Sequence, residues 1–218
     1  LVNNTMTEAN GGRTDLEVTR LNLLEGAGIF NAPFGGKGGT VTIKATEAIL
    51  ITGKTAFGSK LINGLLYSDI PSFIDSTAYS EALEGGHVNL ITSRLDLAGG
   101  IVTSATLGTG SAGNIFIQAD HINITEGGFI ATSALGPGLA GSIRLNVTDT
   151  LFLSGRRDGT YIAPVTGTQF DHNQSGIVSF SLFGAGGQVD VTAKNIQMTE
   201  EATMSTSSLG PVRQNTGG

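Results

Sequence analysis

The chain repeats itself. Reading forward from successive glycine corners gives "GGTVTIKATEAILITG" from Gly38, "GGHVNLITSRLDLAGG" from Gly85, "GNIFIQADHINITEGG" from Gly113, "GSIRLNVTDTLFLSG" from Gly141 and "GGQVDVTAKNIQMTE" from Gly186. A weaker first copy, "GGRTDLEVTRLNLLEG", starts at Gly11. Self-similarity at such a period points to an array in which each unit buries its apolar face on its neighbours. The equivalent residues Thr14, Val41, Val88, Ile115, Ile143 and Val189 are 27, 47, 27, 28 and 46 residues apart. The unit is therefore 27 or 28 residues long, and the second and fifth units are enlarged.

Within a unit, apolar and polar residues alternate, the alternation breaks for about two residues, and it resumes. Period two is the mark of a strand with one buried face. The first strand places Leu16, Ile43, Leu90, Ile117, Leu145 and Val191 inward, followed by Val18, Ala45, Thr92, Ala119, Val147 and Ala193. The second strand places Leu21, Ile49, Leu95, Ile122, Leu151 and Ile196 inward, then Leu23, Ile51, Leu97, Ile124, Leu153 and Met198. A short third strand follows at 28–32, 101–106, 129–136 and 203–210, with Ile29, Ile101, Ile130 and Met204 expected inward. Thr103, Thr132 and Thr206 follow two residues later, so they too are expected inward, which argues against an ice-binding threonine ladder.

Three strands per coil of roughly 27 residues, in about six coils, predict an all-β fold: a single-stranded parallel β-helix, right-handed by the rule for parallel crossovers. Because the enlarged units are the second and the fifth, three coils form a super-repeat. It occurs twice, over about 12–112 and 113–215, within one segment covering 1–218. The segment reads as part of a longer solenoid. The insertions span 53–84 and 155–176, and "STAYSEALE" (76–84) suggests a short helix.

Composition narrows the function classes. The 33 glycines come with only 5 prolines and no collagen-like triplet, and charged residues make up 14%. Net charge is −6, with no basic cluster beyond Arg156-Arg157, so there is no electrostatic footprint for nucleic acid. No apolar run approaches the roughly 18 residues that a membrane helix needs, so no membrane insertion is expected. The first residues lack the basic start and apolar stretch of a signal peptide. The absence of cysteine rules out disulfide stapling and thiolate metal sites, and suits export through an oxidising compartment.

"GTGSAG" (108–113) matches the dinucleotide fingerprint G-x-G-x-x-G, and "GPGLAG" (136–141) matches it again. That fingerprint must open a helix, whose N-terminus holds the pyrophosphate. Both copies instead precede strand-type sequence, so they are read as a repeated corner, and no cofactor is expected. The outward rows stack no two carboxylates, and Arg144 with Asp190 makes only a surface pair. A wall of this kind offers no acid pair for glycoside chemistry, so the chain is expected not to be an enzyme. His87, His121 and His172 fall on separate units or in an insertion, and no metal site is expected. The N-x-T matches at Asn3, Asn123 and Asn146 arise readily in threonine-rich strands.

The insertions hold the least repetitive chemistry. Both leave between the second and third strands, three coils apart, which places them roughly 14 Å from each other on one side. Binding residues on rigid scaffolds concentrate in such loops. Arg156, Arg157, Asp158, Tyr161, Phe170, Asp171 and His172 combine charge with aromatic rings and are the candidate ligand-binding set.

The units "SGIVSFSLFGAGGQVDVTAKNIQMTEEATMSTSSLG" and "GGFIATSALGPGLAGSIRLNVTDTLFLSG" resemble the repeat region of filamentous-haemagglutinin-like large exoproteins. These are two-partner-secretion adhesins of Gram-negative bacteria and cyanobacteria. The resemblance covers nearly the whole chain. It implies a right-handed β-helix, a secreted or cell-surface location, and an adhesive stalk whose partner is a glycan or protein on a host or neighbouring cell. The N-P-N-G-type motif of the family's secretion domain is missing, so the segment resembles the stalk and not the export signal. Two alternatives stand beside this one: a structural subunit of an extracellular filament or sheath, self-associating end to end, and a β-helix polysaccharide lyase or hydrolase. Convergence of Asp69, Asp158 or Asp171 with an arginine would favour the enzyme.

Overall fold

A computed structural model describes residues 2–5, 10–33, 36–55, 60–62, 65–67, 69–79, 84–163 and 168–210. Side chains are described for these except at 2–5, 32–33, 60–62, 65–67, 159–163 and 168–172. Strands are numbered in chain order. One large sheet holds β2 (Arg13–Leu24), β4 (Thr40–Thr52), β10 (His87–Ala98), β12 (Ile115–Thr125) and β14 (Ile143–Ser154), closed by β18 (Val189–Thr192) and β19 (Asn195–Thr199). The other large sheet runs in the order β1 (Val2–Thr5), β3 (Gly28–Pro33), β9 (Phe73–Asp75), β11 (Ile101–Thr106), β13 (Phe129–Ala134), β17 (Gly176–Ser181), β20 (Thr203–Ser208). Every pairing in these two sheets is parallel. A small antiparallel sheet contains β16 (Thr168–Gln174), β15 (Arg156–Ala163), β7 (Leu65–Tyr67) and β6 (Lys60–Ile62), and β5 (Lys54–Thr55) pairs with β8 (Ile70–Pro71). The described residues are thus all-β, dominated by two parallel sheets between which the chain alternates. That arrangement is consistent with a parallel β-helix.

The inward rows of the first sheet lie in register across all six repeats. Leu16 pairs with Ile43, Ile43 with Leu90, Leu90 with Ile117, Ile117 with Leu145 and Leu145 with Val191. The row from Leu21 to Ile196 runs the same way. Alternating burial produces this order, because a slip of one residue would turn every apolar side chain to the outside. The first and second strands of a unit, expected as separate, are one continuous strand in the first five repeats. The break in alternation is a shift of register inside that strand, between Val18 and Arg20 for example. A bulge turns the chain without interrupting the ladder. Only the sixth repeat divides, into β18 and β19.

The third-strand row needs a correction. Ile29, Ile74, Val102, Ile130, Ile177 and Met204 are aligned, and the first five belong to the main core. Ile101 was expected in this row, but it pairs with Phe73 and Phe129 on the other face, where a second apolar cluster forms. Thr103 shifts with it. Ser104, not Thr103, is aligned with Thr132, Ser179 and Thr206. The enlarged repeats, which showed no third strand in the sequence, supply β9 and β17. The helix expected at 76–84 is not seen at its described residues: Ala78 makes a parallel bridge to Thr106 and Glu84 bridges to Lys37 and Ser111. Residues 80–83 lie outside the described ones.

Glycines stack at the corner before the first strand. A Cβ on Gly113 would collide with the carbonyl of Gly86, one on Gly141 with that of Gly113, and one on Gly187 with that of Gly141. Likewise Gly136 sits on Gly108 and Gly138 on Gly110. The two G-x-G-x-x-G stretches therefore lie on each other, each between two strands. Polar side chains from the third strand reach across to this corner. Asn31 Nδ2 donates to Gly12 O at 2.7 Å, Ser104 Oγ to Gly86 O at 2.5 Å and Ser179 Oγ to Gly141 O at 2.8 Å. Buried carbonyls are thereby satisfied where the sheet ladder ends.

Candidate functional site

Each insertion leaves its repeat through a serine clip. Ser72 Oγ donates to Thr52 O at 2.6 Å and accepts from Gly26 N at 3.0 Å. Ser175 Oγ donates to Ser154 O at 2.6 Å and accepts from Gly127 N at 3.0 Å. The same device thus closes both excursions, and each clip also grips the corner of the preceding repeat. In the first insertion β5 and β8 form the base, with Lys54 Nζ 2.5 Å from Asp69 Oδ2. In the second, β15 and β16 form a hairpin. The two insertions meet: Tyr161 is opposite Tyr67, and Ile162 is opposite Leu66.

The candidate residues separate within this frame. Arg156 is exposed, with Nε 3.3 Å from Asp158 Oδ1 and Nη1 3.5 Å from Glu201 Oε2. Arg157 is half-buried and turned away, its guanidinium donating to the carbonyl of Gly99. Tyr161 stands opposite Phe170 on the backbone, and Asp158 opposite His172. Asp171 lies in β16 beside them. The side chains of Tyr161, Phe170, Asp171 and His172 lie outside the described ones. Of the acids whose meeting with an arginine would favour catalysis, Asp158 does meet one, in an exposed pair two residues apart. Asp69 meets a lysine instead.

Arg156 also borders an open groove of about 440 Å³, lined by Thr125, Glu126, Ser154, Gly155, Glu200 and Glu201. Ser154 Oγ donates to Glu200 Oε2 at 3.1 Å. Three carboxylates against one guanidinium leave the groove acidic. Glu126, Glu200 and Glu201 were not among the sequence candidates. Their signal was the corner phrase "TEG" (125–127) and "TEE" (199–201), where they adopt positive φ of 53°, 51° and 65°. Such values are uncommon outside glycine, and they turn the carboxylates outward at the corner.

His87 Nδ1 accepts from Asn114 N at 3.0 Å, and His121 Nε2 lies 3.8 Å from Asp149 Oδ2. Among the described residues no three His, Asp or Glu side chains are grouped to hold a metal ion, and no helix is long and apolar enough to cross a membrane. Arg144 and Asp190 face each other at 3.5 Å, one repeat apart. Burial, and secondarily the charge of Asp75, pushes the Tyr79 hydroxyl well above its ordinary titration range. No family model, curated protein or solved structure matches this chain.

Proposed function

We propose that the chain is a right-handed parallel β-helix of six coils, about 29 Å long at strand spacing, from a secreted or cell-surface exoprotein of the filamentous-haemagglutinin-like kind. Its role is that of a non-enzymatic stalk that displays its insertions for adhesion to a glycan or protein. The observation that carries this is the strand order. Successive strands alternate between two parallel sheets, and each joins its sheet beside its counterpart from the previous repeat. A rod built this way holds its insertions at fixed spacing and direction, which is what display at a distance from a cell requires.

The ligand-binding residues on this reading are those of the second insertion: Arg156, Asp158, Tyr161, Phe170, Asp171 and His172. Arg157 serves as a tether. A glycan array probed with the wild-type chain and with a variant lacking 156–174 tests the assignment. Binding by wild type and loss in the variant is the expected result, and equal binding by both eliminates the loop as the site.

A second reading is a β-helix polysaccharide lyase or hydrolase, favoured by the groove in which Arg156 meets Glu201 beside Glu126 and Glu200. Incubation with a panel of acidic and neutral polysaccharides, followed by assay for new reducing or unsaturated ends, decides it. Release of ends that Glu200→Gln abolishes would establish the enzyme.

A further inference from the structure

The two insertions come from repeats 2 and 5, yet they join. The β7–β15 pairing closes a four-stranded antiparallel sheet whose strands come half from one insertion and half from the other. In both large sheets, repeats 3 and 4 lie between the two points of departure. The foot of the second insertion is turned back toward those repeats. The Arg157 guanidinium donates to Gly99 O in repeat 3, and Asn173 Nδ2 donates to Gly127 O in repeat 4 at 2.9 Å.

Burial follows the same boundaries. A third strand with one face in the core should alternate between buried and exposed. Instead β11 and β13, the third strands of repeats 3 and 4, are buried at all six positions. Their outward residues Ile101, Thr103, Phe129 and Ala131 are at most 5% exposed, and Phe73 joins them in the second apolar cluster. In repeat 5 the pattern loosens, with β17 buried at four of its six positions.

We propose that the two insertions form a strap across repeats 3 and 4 that locks repeats 2 to 5 into one cooperative block. The strap acts whether or not the second insertion also binds a ligand, and it does not rest on the adhesin reading.

The chain has no cysteine, so an engineered pair is unambiguous. Tyr67→Cys with Tyr161→Cys, in the full chain, is expected to form an intramolecular disulfide on mild oxidation. Hydrogen exchange followed by mass spectrometry should then show β11 and β13 amides exchanging about tenfold or more slowly in the oxidised form than in the reduced form, with β20 unchanged. Arg157→Ala with Asn173→Ala, which frees the foot, should speed the same amides by a similar factor. Failure of the disulfide to form, or equal exchange of β11 and β13 in oxidised and reduced protein, overturns the proposal. The disulfide comparison is made within one molecule, so it stands even if the alanine variant does not fold.

Discussion

Repeats 3 and 6 are counterparts 101 residues apart, with the same inward pattern and different fates. In repeat 3, Val88, Leu90, Leu95 and Leu97 are completely buried, and the strand runs unbroken for twelve residues. In repeat 6, Val189 and Val191 are half-buried, Ile196 is 48% exposed and Met198 39% exposed, and the strand is divided. The inward residues of the first-sheet strand differ little in hydrophobicity, Val88, Leu90, Leu95 and Leu97 against Val189, Val191, Ile196 and Met198. What differs is pairing among the described strands: β10 lies between β4 and β12, whereas β18 and β19 pair with β14 alone. In such an array burial belongs to the interface between units and not to the unit.

The largest expected effect tests that directly. Leu95→Ala should cost about 2–5 kcal/mol, because it opens a cavity between two packed neighbours. Its counterpart Ile196→Ala should cost less than about 1.5 kcal/mol, because half the side chain already meets water. Urea unfolding of both variants makes the comparison, and equal losses would break it. Glycines give the next contrast. Gly141→Ala would drive a Cβ into the Gly113 carbonyl, and relief needs movement of stacked backbone, for about 2–4 kcal/mol. At Gly155 the nearest atoms are 3.5 Å away, so only the positive φ of 77° opposes a side chain, and Gly155→Ala should cost about 1–2 kcal/mol.

The rows of the first sheet were legible because period-two alternation, repeated six times, leaves one register that turns them all to the same face. The third strand was harder. In "GGIVTSAT" the neighbours Ile101 and Val102 are both apolar, and both are buried because the outer face is covered too, so alternation carries no signal there. The third strands of the enlarged repeats were hidden by the insertions before them. In β9 the residues after Phe73 are Ile74 and Asp75, and a fully buried aspartate gives no strand signature. It is held by Thr77 and Thr103, at 2.5 Å and 3.0 Å, and Thr103 comes from the next repeat. The corner phrases mark the glutamates but not the groove, which, like the β7–β15 pairing, depends on contacts between distant residues that no local pattern encodes.

That covered face has its own test. Tyr79 packs edge-on against Phe30 at 6.1 Å and lies near Asp75. A tyrosine whose folded-state pKa is raised contributes stability that is complete below its unfolded value and declines as pH rises above it. Wild-type stability should therefore fall with pH above about 10, and Tyr79→Phe should flatten that slope, as read from urea midpoints between pH 8 and pH 11. An unchanged slope would place the tyrosine in water, and repeats 2 to 5 would then be no better covered there than repeat 6.

The smallest effect is expected at β2, which among the described strands of the first sheet pairs with β4 alone. There Glu17 lies 2.8 Å from Lys44 of repeat 2, and the lysine pKa is raised, first by the hydrogen bond from its ammonium to Glu17 and then by the carboxylate charge. The sign is that of a group charged when protonated: the stabilisation is present below the unfolded lysine value and is lost as pH rises through the folded one. Both side chains are exposed, so water and salt screen the pair. Glu17→Gln should therefore give the smallest shift in urea midpoint of the series near pH 7, vanishing in high salt and above the lysine range. A loss comparable to that of Leu95→Ala would mean that charge pairs hold repeat 1 as firmly as apolar contact holds repeat 3, and the contrast between repeats 3 and 6 would need a second cause.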